Sequence, residues 1–268
     1  MKDQYGVNQF GKVSEISLCT EYRDNCTILS DVYYTAPYKI MAPFKKENGG
    51  IQVMPLCASA GIMKGDVQKF NYQIGEGCDL EIVSQSFEKI HKMDGGCAKR
   101  EINISVQKNA VLYYYPQPVI PFAESAFESD MKIHLTDDTS RLFLMDIISC
   151  GRSACGERFA YRKFASKVTV YRDGKMIYRD NACYKPAEMN MEGIGIYEGY
   201  SHMANIFMTC LGENHSAKLQ EKIWEVLQQE CECEAGVTRL TYGDLAVRIF
   251  GDRAQKLQEI AEQIKFLF

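Results

Sequence analysis

No apolar run in this 268-residue chain approaches the roughly 20 residues that a membrane-crossing helix needs, so no segment reads as one. A large excess of charge of one sign is missing too. The 31 Lys and Arg against 35 Asp and Glu give a net charge of −4, which leaves no broad basic footprint for nucleic acid. Histidine is scarce: His91, His134, His202 and His215 are all there are. None stands in His-Glu-x-x-His, and no serine stands in Gly-x-Ser-x-Gly, so neither a zinc-dependent nor a triad hydrolase is supported. The eleven cysteines include no Cys-x-x-Cys pair, which argues against a closed zinc site. Met1-Lys2-Asp3-Gln4-Tyr5 shows no apolar leader pattern, and the expectation is a cytoplasmic protein with reduced thiols.

What is present is strand. Hydrophobic residues make up 46% of the chain and charged ones 25%, ordinary values for one large domain or two small ones. No linker interrupts the pattern, so residues 1–268 are taken as one domain. Residues 11–56 read as short strands broken at Arg23-Asp24-Asn25, Pro37, Pro43 and Asn48-Gly49-Gly50. Phe70, Tyr72 and Ile74 alternate with Asn71 and Gln73, and Leu80 and Ile82 with Asp79 and Glu81, the period of half-buried strands.

This unit repeats. Tyr72-x-Ile74…Leu80-x-Ile82 returns 32 positions later as Ile104-x-Val106…Leu112-x-Tyr114. A looser copy runs Ile133-x-Leu135…Leu142-Phe143. Repeated strand–turn–strand units predict a mainly β, stacked-strand, β-helical or solenoid-like fold. Asp173-Gly174 between alternating runs predicts a type I′ hairpin. Helix is predicted only near the C-terminus, over 217–230 and 254–268. Leu219, Ile223, Val226 and Leu227 line one stripe, and Leu257, Ile260, Ala261 and Ile264 the other.

Three stretches carry chemistry. The apolar run Leu142 to Ile148 reads as a buried strand, followed by the turn Gly151-Arg152-Ser153-Ala154-Cys155-Gly156-Glu157. Arg152 and Glu157 there either close a structural turn as an ion pair or meet a partner. Gly61-Ile62-Met63-Lys64-Gly65-Asp66 presents a carboxylate from a tight loop, without the Gly-Lys-[Ser/Thr] ending of a phosphate loop. With Lys89, His91 and Asp146 these polar residues are either solvated turn groups or a loose site for a divalent cation, for which Asp66, Glu157, Asp146 and His91 offer the ligands. The run Tyr113 to Phe122 holds three prolines. It is either a core strand leaving its sheet or a rigid partner-binding edge built on Tyr115, Pro116, Ile120 and Phe122.

Five segments together resemble the urease accessory protein UreD family, called UreH in some bacteria. They are Gly61 to Asp66, Ser84 to His91 with Lys89, Tyr115 to Phe122, the Gly-Arg-x-Ala-x-Gly-Glu run on Gly151, Arg152, Gly156 and Glu157, and the closing segments Gly236 to Leu240 and Leu245 to Arg248. His91 stands where the family pattern has Tyr, and Lys64 where it has Gly. The resemblance implies a non-enzymatic chaperone for nickel insertion into urease. Its implied partners are UreF, the GTPase UreG through UreF, and urease apoprotein. No tightly bound cofactor is implied, only transient Ni2+ carried along an internal tunnel. A reading from another class is a β-solenoid enzyme acting on a small molecule in a groove.

Overall fold

The computed structural model describes residues 13–210 and 212–268, and the N-terminal reading over Met1 to Tyr5 lies outside them. The chain opens with a long hairpin, β1 (Val13–Arg23) and β2 (Cys26–Tyr34). Four short strands follow: β3 (Tyr38–Ile40), β4 (Phe44–Lys45), β5 (Ile51–Val53) and β6 (Pro55–Cys57). The repeating region holds β7 (Val67–Ile74), β8 (Asp79–Val83), β9 (Glu88–Ile90), β10 (Ala98–Val106), β11 (Val111–Tyr115), β12 (Val119–Pro121), β13 (Ala126–Leu135) and β14 (Arg141–Ser149). The closing part comprises β15 (Lys163–Arg172), β16 (Lys175–Tyr184), β17 (His202–Met208), α1 (Glu213–Gln228), β18 (Glu234–Arg239), β19 (Leu245–Gly251) and α2 (Ala254–Leu267).

Two open sheets are built in step. One has seven strands in the order β16-β15-β13-β10-β7-β1-β2, parallel from β1 to β15 and closed by an antiparallel strand at each edge. In the other, β5, β8, β11 and β14 are parallel neighbours, and antiparallel β17, β19 and β18 continue it. The chain adds β7 to the first sheet and β8 to the second, then β10 and β11, then β13 and β14.

The 32-residue repeat is the register of this ladder. Tyr72 pairs with Ile104, Leu80 with Leu112 and Ile82 with Tyr114. Inward rows result: Leu18, Tyr72, Ile104, Ile133 and Val170 in one sheet face Ile51, Leu80, Leu112 and Leu142 of the other in one apolar cluster. Alternation sends Tyr113, Phe143, Met145 and Ile147 to the outer face of the second sheet, where α1 and α2 cover them. β14 is therefore apolar on both faces apart from Asp146, which is why Leu142 to Ile148 reads as a run rather than as an alternation.

Local chemistry follows the expected turns. Asp173 and Gly174 have φ of 48° and 71°, as a type I′ turn requires. Two expectations shift. Residues 13–34 form two long paired strands joined at Asp24-Asn25, and their length was hidden because Ser30 to Tyr34 of β2 are exposed on both faces and show no alternation. Helix α1 starts one turn before Ala217, where the apolar stripe has not yet begun and Ser216 Oγ donates to Gly243 O instead.

Candidate functional site

Four of the five distinctive segments meet on one wall of the molecule. Strands β9 and β12 run parallel there, with Ile120 opposite Lys89 and Pro121 opposite Ile90. Val119 of β12 in turn lies opposite Ile148 of β14. On the other side Ile62 N donates to Lys89 O at 2.8 Å, and His91 N to Ile62 O at 2.9 Å. Gly61 makes this approach possible: a Cβ on its backbone, at φ +148°, would lie 2.4 Å from Lys89 O. Gly151 does the same for the next loop, where a Cβ would lie 2.8 Å from Glu157 O.

Two charged residues of this wall are spent on each other. Arg152 Nε donates to Glu157 Oε2 at 2.8 Å and Nη2 to Oε1, a bidentate pair. Ala123 N donates to the same carboxylate at 3.1 Å, fixing the loop to the end of β12. The hydrogen bond from Arg152 holds the Glu157 carboxyl below the usual range. The guanidinium also lies 4.2 Å from the centre of the Phe122 ring, a cation–π contact. His91 packs edge-on against Phe122 at 4.9 Å, and its Nε2 donates to Ala60 O at 3.0 Å. Asp66 Oδ2 accepts from Met63 N at 2.8 Å, closing the Gly61–Gly65 loop, and Gly65 N donates to Cys97 O at 3.2 Å. Gly156, at φ 75°, ends the short helical turn Ser153–Cys155.

Behind the wall a cavity of about 570 Å³ lies between the sheets. Asp66, Lys89 and Pro116 line it, so three distinctive segments reach it. Its polar centre is Arg100, buried, with Nε donating to Gln68 Oε1 at 2.8 Å and Nη2 to Glu88. Gln68 and Arg100 are register partners 32 positions apart. They occupy the inward phase of β7 and β10, and a polar residue in that phase was the available signal for them. Sequence reasoning followed the apolar members of the rows and passed over these two.

The remaining candidates lie apart. Tyr115 is on the outer face of the second sheet, where its hydroxyl donates to Glu81 and accepts from Lys265 Nζ at 2.8 Å. Burial opposes ionisation of Glu81, yet Tyr115, Gln52, Lys265 and Lys46 together hold its carboxyl below the usual value. Tyr115 thus anchors α2 to the sheet. Asp146 belongs to an inward polar row, opposite Asn205, which is opposite Arg248. Arg248 Nε donates to Asn205 Oδ1 at 2.8 Å, and Nη2 lies 3.6 Å from Asp180 of β16. Burial, then the charge of Asp180, pushes the Asp146 carboxyl up to about 7. Among the described residues no three His, Cys, Asp or Glu side chains come together as a metal cage.

The wall is thus built from backbone hydrogen bonds and the Arg152–Glu157 pair and is set over an inter-sheet cavity. The chain belongs to the UreD urease accessory protein family, whose model matches residues 12–268. It is 32% identical to urease accessory protein UreD of Acetivibrio thermocellus over 259 residues, 96% of this chain and 98% of that protein. It is likewise 32% identical to urease accessory protein UreH of Helicobacter pylori strain J99, over 96% of each chain. Against UreH of Helicobacter hepaticus the identity is 34% over 197 residues, 73% of this chain. These relatives are accessory proteins, not enzymes, and the chain is one of them. No helix among the described residues is long and apolar enough to cross a membrane.

Proposed function

We propose that this chain is a single-domain, β-helical, cytoplasmic chaperone that takes part in inserting nickel into apo-urease. It would bridge UreF, and UreG through UreF, to the urease apoprotein. The observation that carries the reading is the convergence of Gly61–Asp66, Ser84–His91, Tyr115–Phe122 and Gly151–Glu157 on one wall. Distant segments that resemble a family pattern, gathered on one surface, are what a shared docking face would require. The in-register rows support the β-helical reading.

Nickel is the cargo, and the groups available to it divide. Glu157 is neutralised by Arg152 and serves the wall itself. Asp66 faces the cavity, and Asp146 lies on the inward polar row with Asp180 nearby. Those are the carboxylates past which a hydrated divalent cation would move. Ile120 and Phe122, half-buried on the wall, are the partner-facing residues, while Tyr115, equally half-buried, is engaged with Glu81 and Lys265.

The test is co-expression of urease with its accessory proteins, with and without this chain, and measurement of nickel in purified urease. Omission is expected to leave urease protein present and nickel-poor. Asp66→Ala and Asp146→Ala are expected to lower nickel while UreF still co-purifies, and Ile120→Asp to lose UreF. Fully loaded urease without this chain would overturn the reading.

A further inference from the structure

The eleven thiols include one arrangement that neither the wall nor the inter-sheet cavity accounts for. Cys231 and Cys233 are the only two cysteines with a single residue between them. They stand in the turn from α1 to β18 and carry free thiols. Both line one open cleft of about 430 Å³ at the start of α2, which Asp252, Arg253 and Lys256 line as well. Two trans peptide steps separate their Cα atoms, so these lie no further apart than about 7 Å. The second sulfur has a defined place. Gly251, next to Asp252 in the chain, leaves room for it: a Cβ there would come within 3.1 Å of Cys233 Sγ. Cys231 is exposed and Cys233 half-buried, so one thiol meets solvent and the other rests against the fold. The turn is tied down from α2, because Lys256 Nζ lies 2.6 Å from Glu230 Oε2, one residue before Cys231.

We propose that Cys231 and Cys233 form a two-thiolate site for a soft, two-coordinate cation of the copper(I) class. Coordination number decides the class of metal. Among the described residues no third His, Cys, Asp or Glu side chain joins the pair. Zinc, which takes three or four protein ligands, is therefore not served, nor is nickel(II), which in its square-planar sites takes four donors. Copper(I) is selected by soft thiolates and is satisfied by two of them in a line. Glu232 and Asp252, which line the same cleft, are hard donors that such an ion leaves alone. On binding, each thiol gives its proton to solvent, two sulfur–metal bonds form, and no electron is transferred. The product carries one negative charge. Arg253 lines the cleft with no carboxylate partner among the described residues, and a cation there offsets that charge. The proposal does not depend on how nickel moves or on what docks at the wall.

The test uses the purified full chain, reduced and kept free of oxygen, with Cu+ supplied as its coloured bicinchoninate complex. Loss of colour reports transfer of the metal to protein. Alkylation by N-ethylmaleimide, read at each cysteine by mass spectrometry, locates it. The chain is expected to take about one equivalent of Cu+. Labelling is expected to be lost at Cys231 and Cys233 together, while the exposed thiols Cys57, Cys155 and Cys183 label as before. Cys231→Ser and Cys233→Ser are each expected to abolish uptake while circular dichroism matches the parent, because one thiolate does not hold the ion against the chelator. Ni2+ at the same concentration is expected to protect neither thiol. The proposal is overturned if no copper leaves the chelator, if Cu+ protects the other exposed thiols rather than the pair, if either single variant still takes an equivalent, or if Ni2+ protects the pair as Cu+ does. The parent chain alone decides all but the third of these, so a variant that fails to fold does not shelter the proposal. None of these readouts involves urease, so this inference and the nickel-insertion reading can each fail alone.

Discussion

Arg172 Nη2 donates to Asp244 Oδ1 at 2.6 Å, and the Asp244 side chain is fully buried. Arg172 ends the inward row Ile74, Val106, Leu135, Arg172 of the first sheet, and Asp244 sits in the turn before β19 of the second. The pair therefore ties two sheets together at the point where the apolar rows stop. Asp244→Ala leaves a guanidinium that is only 9% exposed with the exposed Asp138, at 3.5 Å, as its remaining ionic partner, and also removes the acceptor for Cys210 N. It is expected to cost about 3–5 kcal/mol, measured by chemical denaturation. Replacing both partners with apolar residues of similar size should recover most of that loss. A single variant as stable as the parent would show that the pair contributes nothing.

Gly61→Ala tests the wall directly. A methyl group there meets the Lys89 carbonyl at 2.4 Å on a left-handed backbone, so loop and strand must separate. The expected loss is about 2 kcal/mol or more, with faster amide exchange at Ile62 and His91, which carry the two hydrogen bonds joining loop to β9. Gly156→Ala, where a Cβ meets open space, should cost less.

Asp146 predicts a pH dependence with a definite sign. Its carboxyl titrates near 7 in the folded protein against an ordinary value of 3.8. Between those values the folded state holds a proton that the unfolded state has released. Stability therefore falls as pH rises from about 4 to about 7, and this contribution is flat above that. Asp146→Asn keeps the shape and removes the titration. Denaturation midpoints across that window should then change less steeply than in the parent; an unchanged slope would contradict the assignment.

Tyr115→Phe removes the hydroxyl that joins Glu81 to Lys265. A hydrogen bond to a charged group contributes about 1.5–3 kcal/mol. The loss should appear as faster hydrogen exchange in the C-terminal half of α2, with binding of partners around Ile120 and Phe122 unchanged. Loss of a partner without loosening of α2 would place Tyr115 at an interface instead.

The inward apolar phase was legible because it repeats: Tyr72 and Ile104, or Leu80 and Leu112, are matched by type at a fixed offset that the ladder then uses. Arg152 and Glu157 were legible as a pair because a five-residue turn between glycines keeps them close. Tyr38 and Glu88 were not, since their meeting with Arg100 around one cavity depends on three segments that only the sheet stacking brings together. Tyr115 misled for a related reason. It lies on the outer face of its sheet, and the helix that covers that face comes about 140 residues later, where Lys265 donates to its hydroxyl.

The strands at the edges of the first sheet run against those between them: β2 reverses beside β1, and β16 beside β15. A ladder of identical parallel passes is by its nature extensible, since each pass offers its successor the same template. Here the template is withdrawn at both ends. A second copy arriving to continue the stack as a further parallel pass meets a strand of the opposite direction. The edge strands still carry unpaired backbone groups, and it is the exposed Asp31 on β2 and Lys175 and Arg179 on β16 that make end-to-end addition costly.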